Sequence, residues 1–333
     1  LPFITCDGVP REAELYQLEG QFWWFYAMRF GFKSTFRIEY KKADDRFAPS
    51  SKTLLVSAIR YNDRFDLLNE VYGFSQTELR PPIDFEVNNS VAVLTINQFY
   101  GIRKSKYIHF LDYCFAEIER LNIKSLIIDV RENGGGREGY ENLLLSHLDN
   151  SLDQKYATVK MTSASSSYYK YMKHPVQNRI KDWVYKTFEF EDVDGDLVRR
   201  DRFKSTLDPQ KNIFYGDVYV LIGGEVFSGG SDFASLAKSY ARNCTLIGTE
   251  TLGGAVANSS GYFYRVELPN TGMVIEVPRV LFELNVTDQK LGHGVLPDIE
   301  VTSPIESFVD SRDPAMEEAY QLILEKQELA RLK

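Results

Sequence analysis

The chain is poor in the features that would assign it quickly. Its 333 residues contain no uninterrupted apolar run of the kind a bilayer-spanning helix needs, which would be about 18 residues or more. No membrane-spanning segment is therefore expected. Cys6, Cys114 and Cys244 are the only cysteines; an odd number at wide spacing forms neither a disulfide framework nor a zinc-ligand pattern, so the redox compartment stays open. Basic residues are also in deficit, 39 Lys and Arg against 47 Asp and Glu, for a net charge of -8. No basic patch offsets that balance, which argues against nucleic acid as a partner because phosphate binding needs clustered cations. Internal repeats and low-complexity tracts are missing too. The first residues, LPFITCDGVPREAEL, carry no initiator Met and no basic start followed by an apolar stretch, so they show no signal peptide and read like the middle of a longer protein.

What is present is a chain with 44% hydrophobic residues, ample for a sizeable core. Residues 1 to about 82 read as a small mixed module. A strand-like start turns at Asp7-Gly8 into a helix with Pro10 in its first turn, and STFRIEY and KTLLVSAI alternate as strands. Trp23, Trp24, Tyr26 and Phe30 coat the helix; buried packing is the plainer reading of these rings, and a peptide groove the sharper one. Pro81-Pro82 then reads as an extended linker.

After it, strands alternate with helices. SVAVLTINQF, SLIIDV, DVYVLIGG and CTLIGTE are predicted strands; about 104 to 122, REGYENLLLSHL and GGSDFASLAKSYA are predicted helices. Continuous apolar runs such as Leu126-Ile127-Ile128 suit strands buried on both faces, giving an α/β core. An insertion at about 152–214 is rich in Tyr and Lys. It reads as a polar surface helix followed by a hairpin turning at Asp194-Gly195. Asp192, Asp194 and Asp196 lie in that turn with the glycine misplaced for a calcium loop, so no metal is expected. Tyr168, Tyr169, Tyr171, Trp183 and Tyr185 suit either a lid or packing against the core. SRDPAMEEAYQLILEKQELARLK closes the chain as an amphipathic helix.

Two glycine corners follow predicted strands, at the sheet edge where open α/β folds bind ligands. In LIIDVRENGGGREG, three consecutive glycines, Gly134 to Gly136, fit a dinucleotide loop poorly, and no cofactor is expected. They do free backbone N–H groups to face an anion. In GGEVFSGGSDFASLAK, Ser228 sits between an apolar strand and a helix. There a hydroxyl is well placed as a nucleophile facing the helix N-terminus, and equally well placed as a helix cap, as is Ser231. Ser235 and Lys238 match S-x-x-K formally, inside the helix. Of the histidines, His109 and His147 fall on predicted helices and His174 in the insertion. His293, flanked by glycines in LGHGVLPDIEV, is the one in a site-like setting, although a structural role is at least as common.

Taken in order, these segments resemble the C-terminal-processing (tail-specific) serine peptidases, in the branch near the tricorn protease core. SLIIDVRENGGG resembles the family's L-I-x-D-L-R-x-N-x-G-G, GEVFSGGSDFASLAK its nucleophile segment, LIGTETLGG its G-x-x-T-x-G stretch and GHGVLPDIEV its G-x-G-V-x-P-D-x-x-V. The resemblance implies a crotonase-like (ClpP/crotonase) α/β core over 83–333 and a partial PDZ-like module over 1–82. It implies Ser228 as nucleophile, with the backbone N–H groups of Gly229 and Gly135 as oxyanion hole, and a peptide or unfolded protein as substrate. It also suggests export to the bacterial cell envelope. Oligomeric state is not legible. Three departures stand out: Gly254 occupies the position of the lysine in the Ser-Lys branch, Gly229-Gly230-Ser231 replaces Ala-Ala-Glu, and the tricorn-like base comes from an Asp-Gly-His-Thr-like stretch upstream of the PDZ-like part, ahead of residue 1. Within the chain His293 is the alternative base. A catalytically inactive relative that binds peptides or small ligands is the competing expectation.

Overall fold

The computed structural model describes residues 22–41, 51–60 and 81–332, apart from positions 150, 204, 208, 209, 211, 260, 305, 308 and 309, together with residues 18, 63, 66, 67 and 70. The strand start and the Pro10 helix start read at residues 4–15 lie outside these. In the N-terminal part, helix α1 (Phe22–Phe30) precedes an antiparallel hairpin of β1 (Thr35–Tyr40) and β2 (Lys52–Ser57), as the alternation in those strands predicted. The rings of α1 are not buried. Trp23 and Trp24 are each 44% exposed and Phe30 55% exposed. They meet one another instead, Tyr26 lying 4.9 Å from Phe30 and 5.5 Å from Phe36 between ring centroids. The expectation of core packing therefore fails because nothing else among the described residues covers the helix.

The core is a six-stranded sheet in the order β15-β10-β9-β5-β4-β3. Its strands are β3 (Ile83–Asn88), β4 (Val91–Ile96), β5 (Ser125–Asp129), β9 (Asp217–Ile222), β10 (Cys244–Gly248) and β15 (Ile299–Glu300). All neighbours are parallel except the edge pair β3 and β4. β3 follows Pro81-Pro82 directly and pairs with β4 as the edge of this sheet. Asn88-Asn89-Ser90 supplies the reason: Asn89 and Ser90 both take positive φ, the conformation of a tight two-residue hairpin.

Both sheet faces are covered, as the unbroken apolar runs required. Leu126 and Ile128 point into a core shared with α2 (Lys104–Arg120), α3 (Tyr140–Leu145) and α5 (Gly229–Tyr240). Ile127, Val91, Val93, Tyr219 and Leu221 point the other way, onto Ala315, Ala319 and Ile323 of the C-terminal helix α6 (Pro314–Arg331). Arg131, just past β5, fastens that helix by reaching both Asp129 and Asp313 at 2.6 to 2.8 Å, and Asp313 in turn caps α6 by accepting from the Met316 N–H.

The insertion does more than present a helix and a hairpin. It contributes β6 (Tyr156–Met161), β7 (Phe190–Val193) and β8 (Asp196–Arg199) to a second, five-stranded antiparallel sheet of order β11-β14-β6-β8-β7. β11 (Ala257–Asn258) and β14 (Val280–Leu284) complete it, and between these two in sequence β12 (Phe263–Glu267) and β13 (Val274–Pro278) form a separate ribbon. Tyr156, Val159, Met161, Phe190, Val280, Phe282 and Leu284 make that sheet's own core. The hairpin turn falls at Asp194-Gly195 as predicted, both residues having positive φ. Helix α4 (Pro175–Val184) continues into a π-helical turn over Tyr185–Glu189.

Candidate active site

Asn133 organises the site from the end of β5. Fully buried, it donates from Nδ2 to the Ile96 carbonyl at 2.9 Å, accepts the Gly135 N–H on Oδ1 at 2.9 Å, and accepts the Phe227 N–H on its own carbonyl at 3.0 Å. One residue, through its side chain and its carbonyl, thereby joins the end of β4, the glycine corner and the serine corner. In the sequence it stands at the asparagine position of the R-x-N-x-G-G pattern, but no role is legible for it there.

The two corners meet. A β-carbon on Gly135, which has φ +95°, would lie 2.7 Å from Ser228 Cβ, and one on Gly253 would lie 3.0 Å from the Ser228 nitrogen. Only glycine permits such an approach. Ser228 precedes α5 with φ 51° and ψ -124°, outside the regions open to ordinary residues, and its side chain makes no capping hydrogen bond. Ser231 does not cap the helix either, since its hydroxyl donates to the Val226 carbonyl at 2.9 Å. Ser228 therefore does not cap the helix: the strained turn raises a half-buried Oγ at the helix N-terminus that bonds to nothing among the described residues. Strain of this kind, on the order of 1–3 kcal/mol, persists only where surrounding bonds hold it; the Asn133–Phe227 bond and the Gly253 N–H to Val226 carbonyl bond, 3.1 Å, do so here.

The Gly229 N–H makes no hydrogen bond among the described residues, whereas the Gly135 N–H is taken up by Asn133. His293 lies on the loop that runs beside Gly254 and Ala255; its carbonyl accepts the Ala255 N–H at 3.0 Å. Its Nδ1 is 3.3 Å from Glu250 Oε1, and no hydrogen bond joins its ring to Ser228. The remaining sequence candidates are dispersed. Ser235 donates to the Ala255 carbonyl at 2.5 Å and Lys238 binds Asp298 and the Leu296 carbonyl. His147 is buried, stacked 4.2 Å from Phe115. Among the described residues no group of three His, Cys, Asp or Glu is placed to hold a metal. A cleft of 380 Å³ lined by Ile118, Lys124, Phe214 and Gly216 sits at the opposite, amino-terminal ends of β5 and β9.

Behind the serine lies a charged cluster that sequence reasoning missed. Lys155, 1% exposed, contacts Glu141 Oε1 and Asp232 Oδ2, each at 2.6 Å. Asn258 Nδ2 donates to Asp232 Oδ1 at 2.9 Å, and the Gly139 N–H donates to both Glu141 oxygens at 3.1 Å. Burial pulls the Lys155 ammonium down, but the carboxylates of Asp232 and Glu141 overcome this and hold it well above its usual value. Burial likewise pushes the Asp232 carboxyl up, against the pull of Lys155. Lys155 thus braces the site between two carboxylates. It connects α3 with α5 and, through Asp232, with β11, by four residues too far apart in sequence to be recognised as a set.

The family model of peptidase family S41 matches residues 90–301, which takes in both corners, the cluster and the His293 loop. Mature CPAF has a similar fold, with a TM-score of 0.52 and 14% identity over 88% of this chain and 67% of its own. A candidate peptidase from Parabacteroides merdae aligns over 94% of this chain and 84% of its own at 18% identity and TM-score 0.48. The photosystem II D1 C-terminal processing protease aligns over 83% and 59% at 13% identity and TM-score 0.43. No curated protein matches the chain significantly. With the family match extending over well more than half of its length, the chain belongs to peptidase family S41 and is a serine-type peptidase.

Proposed function

We propose that the chain cleaves peptides or the C-terminal tails of proteins through an acyl-enzyme on Ser228. The observation that carries this reading is the strained turn at Ser228, which leaves its Oγ without a capping hydrogen bond. In the proposed reaction Ser228 Oγ attacks the scissile carbonyl carbon and a histidine takes the hydroxyl proton, later delivering it to the leaving amine; water then hydrolyses the ester. The Gly229 N–H is the first oxyanion donor. The Gly135 N–H is the second, once it leaves Asn133 Oδ1.

The histidine has two sources on this reading. One is an Asp-Gly-His-Thr-like stretch of the tricorn-like kind, which the resemblance places before the PDZ-like module. The other is His293, whose pairing with Glu250 is the carboxylate–imidazole arrangement that orients a base. His293→Ala separates them: loss of activity by three or more orders of magnitude would assign His293, and activity within about twofold of wild type would assign the other.

The same reading takes residues 83–333 as a crotonase-like core and residues 1–82 as a PDZ-like module that helps present the substrate's end. The hairpin of β1 and β2 supports the latter. It also takes the protein as exported to the bacterial envelope; no helix among the described residues is long and apolar enough to cross a membrane. The test is incubation of the protein with unfolded polypeptides of defined C-terminus and mass analysis of the products. Shortened tails with wild type and intact ones with Ser228→Ala are expected. Intact tails with both would favour a binding protein that has kept the fold.

A further inference from the structure

Helix α4 is built inside out. The residue it buries is charged: Asp182, 1% exposed, which accepts from the hydroxyls of Tyr169 and Tyr264 and pairs with Arg279 at 2.7 Å. Asn178 and Tyr185 share that inward side and are half-buried. At about 100° of rotation per residue, Val176, Ile180 and Trp183 fall on the opposite side, and there they are 66%, 56% and 61% exposed. The π-helical turn brings Phe188 onto the same stripe, its ring 5.8 Å from that of Trp183. Arg179 and Lys186 border the stripe on one side and Lys181 on the other, with Lys170 and Lys173 just before the helix; all five are exposed. The two acids in this stretch, Asp182 and Glu189, are both turned inward and bonded, Glu189 to Tyr262 and Arg199.

We propose that this face of α4 is a docking surface for an anionic lipid bilayer, on which the helix lies parallel to the membrane plane. The apolar stripe with Trp183 at its centre would enter the boundary between headgroups and acyl chains. Lys181 and Lys186 on the borders would reach outward to the lipid phosphates, while Arg179 lies over the Tyr169 ring, 5.2 Å from its centroid. Cations on both sides of a single apolar stripe suit a planar anionic surface. A second copy of the chain is a poorer occupant, because a stable dimer interface buries about 800 Å² and some 20–30 residues on each side, far beyond four apolar side chains on one helix. The charge contrast is local: five cations are clustered in a chain whose net charge is -8. The inference stands on α4 itself and is independent of the reading of Ser228.

The test is sedimentation of the full chain with vesicles of phosphatidylcholine, with and without phosphatidylglycerol, at low and high salt. Binding to the phosphatidylglycerol vesicles alone is expected, weakening as salt rises. Ile180→Ser with Trp183→Ser, and separately Lys181→Glu with Lys186→Glu, should each weaken it about tenfold or more with unchanged circular dichroism and melting. A control, Trp23→Ser with Trp24→Ser, should bind as wild type, since those exposed rings belong to α1. Failure of wild type to bind at low salt, or unchanged binding by both α4 variants, would overturn the proposal. So would a concentration-dependent rise in mass without lipid that Ile180→Ser with Trp183→Ser abolishes, because the face would then join two copies of the chain.

Discussion

At Ser228 a side chain common in helix caps is denied that role by its own backbone. With φ 51° and ψ -124° its hydroxyl bonds to nothing among the described residues, and Gly135 is pressed against it closely enough that a methyl group has no room. Gly135→Ala should therefore lower the rate of acylation by a serine-directed reagent about a hundredfold through displacement of the corner; a rate within twofold of wild type would mean that the contact does not set the geometry. Lys155 allows a stability prediction. Removing the single cation leaves Glu141 and Asp232 buried without compensation, so Lys155→Met should cost about 3–5 kcal/mol in urea unfolding, as broken buried ion pairs do. Adding Asp232→Asn should restore part of that loss; a cost below about 1 kcal/mol would show the cluster to be inert. His147 predicts a pH effect. Burial lowers its pKa, against smaller opposing effects from the Asn212 carbonyl and Asp112, so the folded chain prefers the neutral ring. Its contribution is complete above the unfolded histidine value of about 6.5 and declines as pH falls from there through the lower folded value. Melting temperatures of wild type and His147→Gln should converge on acidification over that window, and parallel curves would contradict it.

Among the elements, legibility followed local pattern. β4, β5, β9 and β10 announced themselves because strands buried on both faces are apolar throughout, and α2 and α6 because their apolar positions recur at helical spacing. The hairpin of β7 and β8 was readable from Asp194-Gly195 alone. β6, β11 and β14 were not: YATVKM, AN and VLFEL are short and mixed, and their register exists only once the insertion and the C-terminal half pair with each other. The same logic governs the site. Ser228 and the glycine corners are contiguous motifs and were visible, whereas Asn133 works through three partners contributed by different elements. Glu141, Lys155, Asp232 and Asn258 come from four places in the chain. Helix α4 misled in an instructive way: its polar reading was right on average, but the buried side is the charged one, because Arg279, Tyr169 and Tyr264 lie beneath it.

For the molecule as a whole, the parallel sheet brings the carboxyl ends of β5 and β9 side by side, so the two glycine corners that follow them are neighbours although about ninety residues apart in sequence. That edge is where open α/β sheets place their chemistry. The second sheet braces it from behind through Lys155 and Asn258, and α6 locks the far face through Arg131 and Asp313. The central claim is that this assembly holds one activated serine. It is tested most directly by labelling the full-length natural protein with a fluorophosphonate probe, beside Ser228→Ala. The account predicts stoichiometric labelling of wild type and none of the variant. A folded wild type that stays unlabelled, or a variant that labels equally, would contradict it.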